Sequence, residues 1–279
     1  MPELPEVETI VRDLREQILD LEITKSRLLR TDMLRSPRRA SQRFKVFFVG
    51  KQFEAVDRIG KFLLFTLNDG SRLVAHLGMT GKFVVTNSHL PDPPYLCSQY
   101  VFQNGRRMDH IDVRRFGRLE IYPPGSNIPI IGRLGPDPLS PGFSPQTLHP
   151  LLFGHSGRRR QRAMHTLLLD QSLISGVGNI YASEALFRSG IRPQRRADRV
   201  RLRELGTLAN SLRQVMQEAV AAGGTTVNDY RRVDDKPGGF VAKLNVYDRK
   251  GQSCRRCKTA IKRVILGGRS AYYCPECQK

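Results

Sequence analysis

Over the first twenty residues the apolar side chains fall at Val7, Ile10, Val11, Leu14 and Ile18, the spacing of an amphipathic helix. Pro5 suits the first helical turn, and Glu6 and Glu8 suit the positive end of the helix dipole. From about residue 22 to 122 the period shortens to that of strands. FLLFTLNDGSRLVAHL (62–77) and YVFQNGRRM (100–108) each place a turn signal between strand-like runs. This half predicts a mostly antiparallel β domain, a sandwich or a barrel. A stretch rich in Pro and Gly, YPPGSNIPIIGRLGPDPLSPGFSP (122–145), reads as an irregular connection. Helical periodicity then returns in LHPLLFG, AMHTLLLDQSLI, NIYASEALFRSG and LRELGTLANSLRQVMQEAVAAGG. Residues 224–246 are polar, Gly-rich and aperiodic, and a loop of that length in a compact domain is usually functional.

Composition leaves these elements in a soluble globular protein, with 39% hydrophobic and 8% aromatic residues. No run approaches the roughly 18 apolar residues of a membrane span. Glu3, Glu6 and Glu8 stand where a secretion signal needs basic and apolar residues, so an intracellular protein is expected. Charge narrows the partner. Forty-six Lys and Arg against 26 Asp and Glu give a formal net charge of +20. A field of that sign concentrates polyanions, nucleic acid first among them. Arginine dominates in GRRRQR (157–162) and RPQRRADRVRLR (192–203), which suits bidentate phosphate contacts.

Four of the five cysteines lie in CRRC (254–257) and CPEC (274–277), a C-x2-C-x16-C-x2-C pattern. Each pair can present two thiolates to one tetrahedral ion, so Cys254, Cys257, Cys274 and Cys277 are expected to hold one structural zinc. The intervening KTAIKRVILGGRSAYY reads as a hairpin turning near residues 267–268. Cys97 is left over and reads as a small buried hydrophobe.

With charge, cysteines and elements in place, the chain resembles bacterial formamidopyrimidine-DNA glycosylases. The motifs that carry the resemblance are MPELPEVET, GKFLLF, HLGMTGKF (76–83), DVRRFG (112–117), SGVGNIYASEALF (175–187) and GRSAYYCPECQK (268–279), in order over the whole chain. The resemblance implies a glycosylase and AP lyase that excises 8-oxoguanine and formamidopyrimidines from duplex DNA and nicks the strand by β,δ-elimination. Similar enzymes lose the initiator methionine, which leaves Pro2 a free secondary amine. An α-amino group has a pKa of roughly 7.7–8.0 against roughly 10.4 for lysine, so part of it is unprotonated near neutrality and can form a Schiff base. By the same resemblance Glu3 shuttles protons, Lys61 donates a proton during β-elimination, and Arg269 grips the phosphates beside the lesion. Met79, Arg114 and Phe116 would fill the hole left by a flipped nucleotide as plug, donor and wedge. His76 and Asn179 would contact phosphate, Asn179 from a helix N-terminus.

The chain departs from the family pattern at a few positions. Tyr95 stands where a DNA-contacting histidine is usual, and Gln161 and His165 replace common lysines, with Arg160 and Arg162 nearby. Phe240-Val241 replaces a phenylalanine-glutamine pair in the loop that closes over the base. The architecture expected is α+β: an antiparallel β-sandwich domain with flanking helices (1–122), a linker (123–150), a helical helix-two-turns-helix domain with its lesion loop (151–246, loop 224–246) and a four-cysteine zinc-finger β-hairpin (247–279). The protein is expected to be a monomer in the bacterial cytoplasm, with the nucleoid when bound to DNA. An endonuclease VIII type enzyme for oxidised pyrimidines, or a non-catalytic zinc-ribbon DNA-binding protein, are the alternatives.

Overall fold

The computed structural model describes residues 1–35, 44–154, 157–226 and 230–279. The chain forms two compact units, one of residues 1–129 and 222–239, the other of residues 130–221 and 240–279.

In the first unit the amphipathic stripe becomes helix α1 (Leu4–Ile18), with Glu3 at its N-cap. Strands β1 (Ile23–Leu28), β6 (Leu96–Phe102), β7 (Arg106–Ile111) and β5 (Lys82–Asn87) make one antiparallel sheet in the order β1-β6-β7-β5. Strands β2 (Phe53–Ile59), β3 (Phe62–Leu67), β4 (Arg72–His76) and β8 (Arg118–Tyr122) make the other, in chain order. Alternate residues of both sheets meet in one core: Phe53, Phe65, Leu73 and Leu119 from one sheet, Phe83, Tyr100, Phe102 and Met108 from the other. Val7, Ile10, Val11, Leu14 and Ile18 of α1 close it, as does the short helix α2 (Phe44–Phe48) through Phe44 and Phe48. Strand periodicity left sandwich and barrel open and the family likeness implied a sandwich; two four-stranded sheets make it one, as expected.

The second unit holds short helices α3 (His149–Leu152) and α4 (Met164–Leu168), then α5 (Asn179–Arg188) and the long α6 (Leu202–Ala221). The zinc hairpin follows, β9 (Lys262–Leu266) against β10 (Arg269–Tyr273). Gly267 and Gly268 both take positive φ (55° and 75°), as the tight hairpin turn requires. The hairpin is fastened to α5 and the residues after it. Arg192 donates to the Gln278 and Pro275 carbonyls, and the Gln278 amide donates to Ile191 O. Among the described residues no helix is long and apolar enough to cross a membrane.

The segment after α6 is divided between the two units. Residues 224–246 were expected to form one loop of the helical domain, yet residues 222–239 belong to the first unit. Tyr230 and Val233 bury into the sandwich core, and Arg232 makes a bidentate pair with Asp13 of α1 (3.1 and 2.7 Å). Phe240, Leu244 and Val246 are instead buried in the second unit. The apolar anchors, sparse as they are, divide the loop. Residues 227–229 lie outside the described residues.

Candidate functional site

The N-terminus is built by hydrogen bonds that fray-prone chain ends normally lack. Pro2 and Glu3 are buried, Met1 is exposed, and the Glu3 amide donates to Glu6 Oε2 at 2.9 Å. The second oxygen, Oε1, accepts the Thr225 amide at 2.8 Å. Glu6 is only 1% exposed, so its carboxylate ties the start of α1 to the segment that re-enters the unit at residue 222. Periodicity suggested a helix-dipole role for Glu6; its second bond, to a residue 219 positions away, was not visible in it.

Lys61 lies in the turn between β2 and β3 and is 7% exposed, where lysine is rarely found unless paired. Arg58 holds this turn beside the start of α1. Its Nε donates to Glu8 Oε2 at 3.0 Å and its Nη1 to the Gly60 carbonyl at 3.2 Å. Burial pushes the Glu8 carboxyl up, but hydrogen bonds from Arg12 and Arg58 outweigh it and leave it below its usual range. The structure thus links the second turn of α1 to the Lys61 turn through Glu8, read from sequence as a helix-dipole residue, and Arg58, which no motif singled out. The signal for Arg58 was faint, one Arg among many.

His76 ends β4. Burial, then the charges of Arg118 and Lys61, lower its pKa to about 4, so it is neutral at physiological pH. The Gly78 amide donates to its Nδ1 at 3.1 Å. Nδ1 is therefore unprotonated, and the proton sits on Nε2 as a hydrogen-bond donor.

The Met79 loop and the loop of Arg114 and Phe116, far apart in sequence, come together through Asp112, which is 1% exposed. Its Oδ1 accepts the Thr80 hydroxyl and the Arg114 amide, and its Oδ2 accepts the Gly117 amide at 2.8 Å. Thr80 Oγ1 also accepts the Arg114 amide at 3.1 Å. Phe116 is 59% exposed, with the Arg114 guanidinium over its ring at 4.7 Å from the centroid. A large exposed ring held by buried bonds is what a wedge into a base stack needs. Tyr95 is exposed in the left-handed region (φ 61°), and its carbonyl accepts the Asp112 amide at 3.2 Å, so it borders the same loop. Cys97 is buried, as expected.

In the second unit Asn179 is the first residue of α5, and its Nδ2 donates to Ser270 O at 2.8 Å, beside Arg269 at the start of β10. Gln161 is exposed, and Arg160 donates from Nε to the Pro150 and Phe153 carbonyls. Arg162 makes a 3.6 Å ion pair with Asp170. Phe240 is buried with its ring 6.2 Å from that of Tyr181, and Val241 is exposed. Glu184, fully buried on α5, accepts the amides of Asn245, Val246 and Tyr247. A carboxylate on the apolar face of a helix was the signal for it.

The Sγ atoms of Cys254, Cys257, Cys274 and Cys277 lie within 4.8 Å of one another, with separations of 3.9 Å (254–277) and 3.4 Å (257–274). Four thiolates around zinc at about 2.3 Å stand about 3.8 Å apart, so the donor set and its spacing fit a closed, structural zinc site. No coordination position is left for chemistry.

With this geometry in hand, three family models match in order: the formamidopyrimidine-DNA glycosylase N-terminal domain over residues 1–119, its H2TH domain over 134–231, and the zinc finger found in FPG and IleRS over 251–279. The formamidopyrimidine-DNA glycosylase of Thermus thermophilus is 43% identical, covering 100% of this chain and 98% of that protein. That of Desulforamulus reducens is 39% identical over 100% and 99%. The crystal structure of the Thermus thermophilus Fpg protein superposes with a TM-score of 0.85 at 40% identity, covering 99% and 98% of the two chains. The Lactococcus lactis Fpg in complex with DNA containing Fapy-dG gives 0.89 at 27% identity, covering 99% and 100%. A chain matched over its whole length by relatives near 40% identity, with the family's three domains in order, belongs to the formamidopyrimidine-DNA glycosylase family.

Proposed function

We propose that this DNA glycosylase and AP lyase acts on oxidised purines, 8-oxoguanine and formamidopyrimidines, with Pro2 as its nucleophile once Met1 is removed. The observation that carries this reading is the built N-terminus: Pro2 and Glu3 buried, and the Glu3 amide fixed by Glu6. The Pro2 nitrogen attacks C1′ of the damaged nucleotide, and the glycosidic bond breaks with its electron pair leaving on the base. Glu3 supplies and recovers protons as the sugar ring opens to the Schiff base. Loss of the C2′ proton then expels the 3′ phosphate, and a second elimination expels the 5′ phosphate. Lys61 serves as proton donor in the first of these steps, and Arg269 holds phosphate beside the lesion. Met79, Arg114 and Phe116 occupy the space of the flipped nucleotide; His76, Tyr95, Gln161 and Asn179 face the DNA backbone. Solved complexes of the Lactococcus lactis Fpg with DNA carrying an abasic site or Fapy-dG support this assignment by likeness. The protein works as a monomer in the bacterial cytoplasm.

Borohydride trapping on an abasic or 8-oxoguanine duplex tests the nucleophile. A covalent adduct in the native protein, absent in Pro2→Gly, is expected; a native protein that gives none refutes it. Excision of 8-oxoguanine opposite cytosine should outpace that of thymine glycol opposite adenine. The reverse order would place the enzyme with the pyrimidine-lesion branch.

A further inference from the structure

The His165 imidazole is completely buried in α4, with Nε2 3.0 Å from Asn179 Oδ1. Asn179 in turn donates from Nδ2 to Ser270 O at 2.8 Å. The position of each proton follows from this chain. A carbonyl oxygen only accepts, so the amide nitrogen of Asn179 must face Ser270 and its oxygen must face His165. Nε2 of His165 therefore carries a hydrogen. Nδ1 is buried and without a partner among the described residues. A second proton would be enclosed there with no acceptor. Burial accordingly lowers the pKa to about 4 against the opposing bond to Asn179. His165 is a neutral donor aimed at one atom.

That atom belongs to the first residue of α5, and Ser270 adjoins Arg269. A second contact runs in parallel: a β-carbon on Gly267 would lie 3.4 Å from the Thr166 methyl, so α4 also touches the hairpin turn. The χ2 torsion of asparagine is soft and nearly two-fold. Ser270 O selects the nitrogen on its side, and the His165 donor supplies the second restraint, on the oxygen.

We propose that His165 is a positioning residue for phosphate binding: its Nε2–H fixes the Asn179 carboxamide and, through Ser270 O, the strand start that carries Arg269. This rests on the assignment of Asn179 and Arg269 as phosphate contacts. The role is one of orientation, not charge, because the ring carries none at working pH.

The test is equilibrium binding to a duplex with a tetrahydrofuran abasic analogue at several salt concentrations, with zinc content and thermal midpoint followed in parallel. His165→Leu fills the volume without a donor and should weaken binding about tenfold, the loss of one hydrogen bond. His165→Gln, whose amide can donate, should restore most of it. In an Asn179→Ala background His165→Leu should cost nothing further. Native-like binding by His165→Leu, or independent effects of the two substitutions, would each overturn the proposal. If Asn179→Ala itself binds normally, the phosphate-contact assignment fails. If Asn179→Ala is weak and His165→Leu is not, only the role of His165 fails. Should His165→Leu not fold, nitrogen NMR of the native protein decides. The neutral Nε2–H tautomer near pH 7 is expected; an imidazolium or the Nδ1–H tautomer overturns it.

Discussion

The backbone of Gly78 lies against the backbone of Phe116 so closely that a β-carbon on Gly78 would stand 2.5 Å from the Phe116 carbonyl carbon and 2.6 Å from the Gly117 nitrogen. Gly78 also takes φ 58°, which side-chain-bearing residues adopt at a cost of roughly 1–2 kcal/mol. This contact seats the Met79 loop on the loop of Arg114 and Phe116. Gly78→Ala must therefore push the two loops apart. We expect at least a hundredfold loss of excision on 8-oxoguanine duplexes, with a smaller loss in borohydride trapping on single-stranded abasic DNA, where no base stack is opened. Equal losses on both substrates would refute the pairing of the loops.

Glu6 offers one oxygen to the Glu3 amide and the other to the Thr225 amide. Glu6→Gln keeps one acceptor and puts an NH2 against an amide hydrogen, leaving a buried donor unsatisfied. The cost is about 1–3 kcal/mol. Hydrogen exchange should show faster opening at Thr225, and the rate of Schiff-base trapping should fall with abasic-DNA affinity within a few fold of native. Unchanged exchange at Thr225 would count against the tether.

His76, His110 and His165 each have their pKa lowered from 6.5 to about 4, chiefly by burial. The unfolded chain takes up these protons near pH 6.5 and the folded protein only near pH 4, so between those values the unfolded state binds more protons. Stability is therefore flat above pH 6.5 and falls as pH drops through this window, by on the order of 3 kcal/mol per histidine once fully protonated. His110, stacked on Phe83 with both ring nitrogens unpartnered among the described residues, gives the clean probe. Urea unfolding of His110→Phe should show a shallower loss between pH 6.5 and 4; an unchanged profile would dismiss His110 as a source.

The hydrophobic cluster under the zinc hairpin is small: Phe187, Val246, Ile261 and Tyr272 around Cys254 and Cys274. So few apolar side chains do not hold a hairpin without the ion. Chelation, or Cys274→Ser, should release the hairpin to protease and abolish duplex binding, while the far larger sandwich core keeps its own thermal transition. Retained duplex affinity in a zinc-free protein would show that Arg269 is dispensable.

Much of this architecture follows from local pattern. The stripe from Val7 to Ile18 specifies α1, the NDG and NG turns specify two hairpins, and the paired C-x2-C knuckles specify a zinc site, because each is a relation among residues a few positions apart. Family likeness added the candidate residues, from Pro2 to Arg269, that period and charge do not distinguish from caps and surface. What only the tertiary structure decided are relations across long sequence distance: Glu6 to Thr225, Arg58 between Glu8 and Gly60, Asp112 between the two loops, and His165 through Asn179 to Ser270. The division of residues 222–246 between the units belongs with these. The physical reason is common to all. A buried polar group must find a partner, and which partner it finds depends on what folding brings within 3 Å, which no local period encodes.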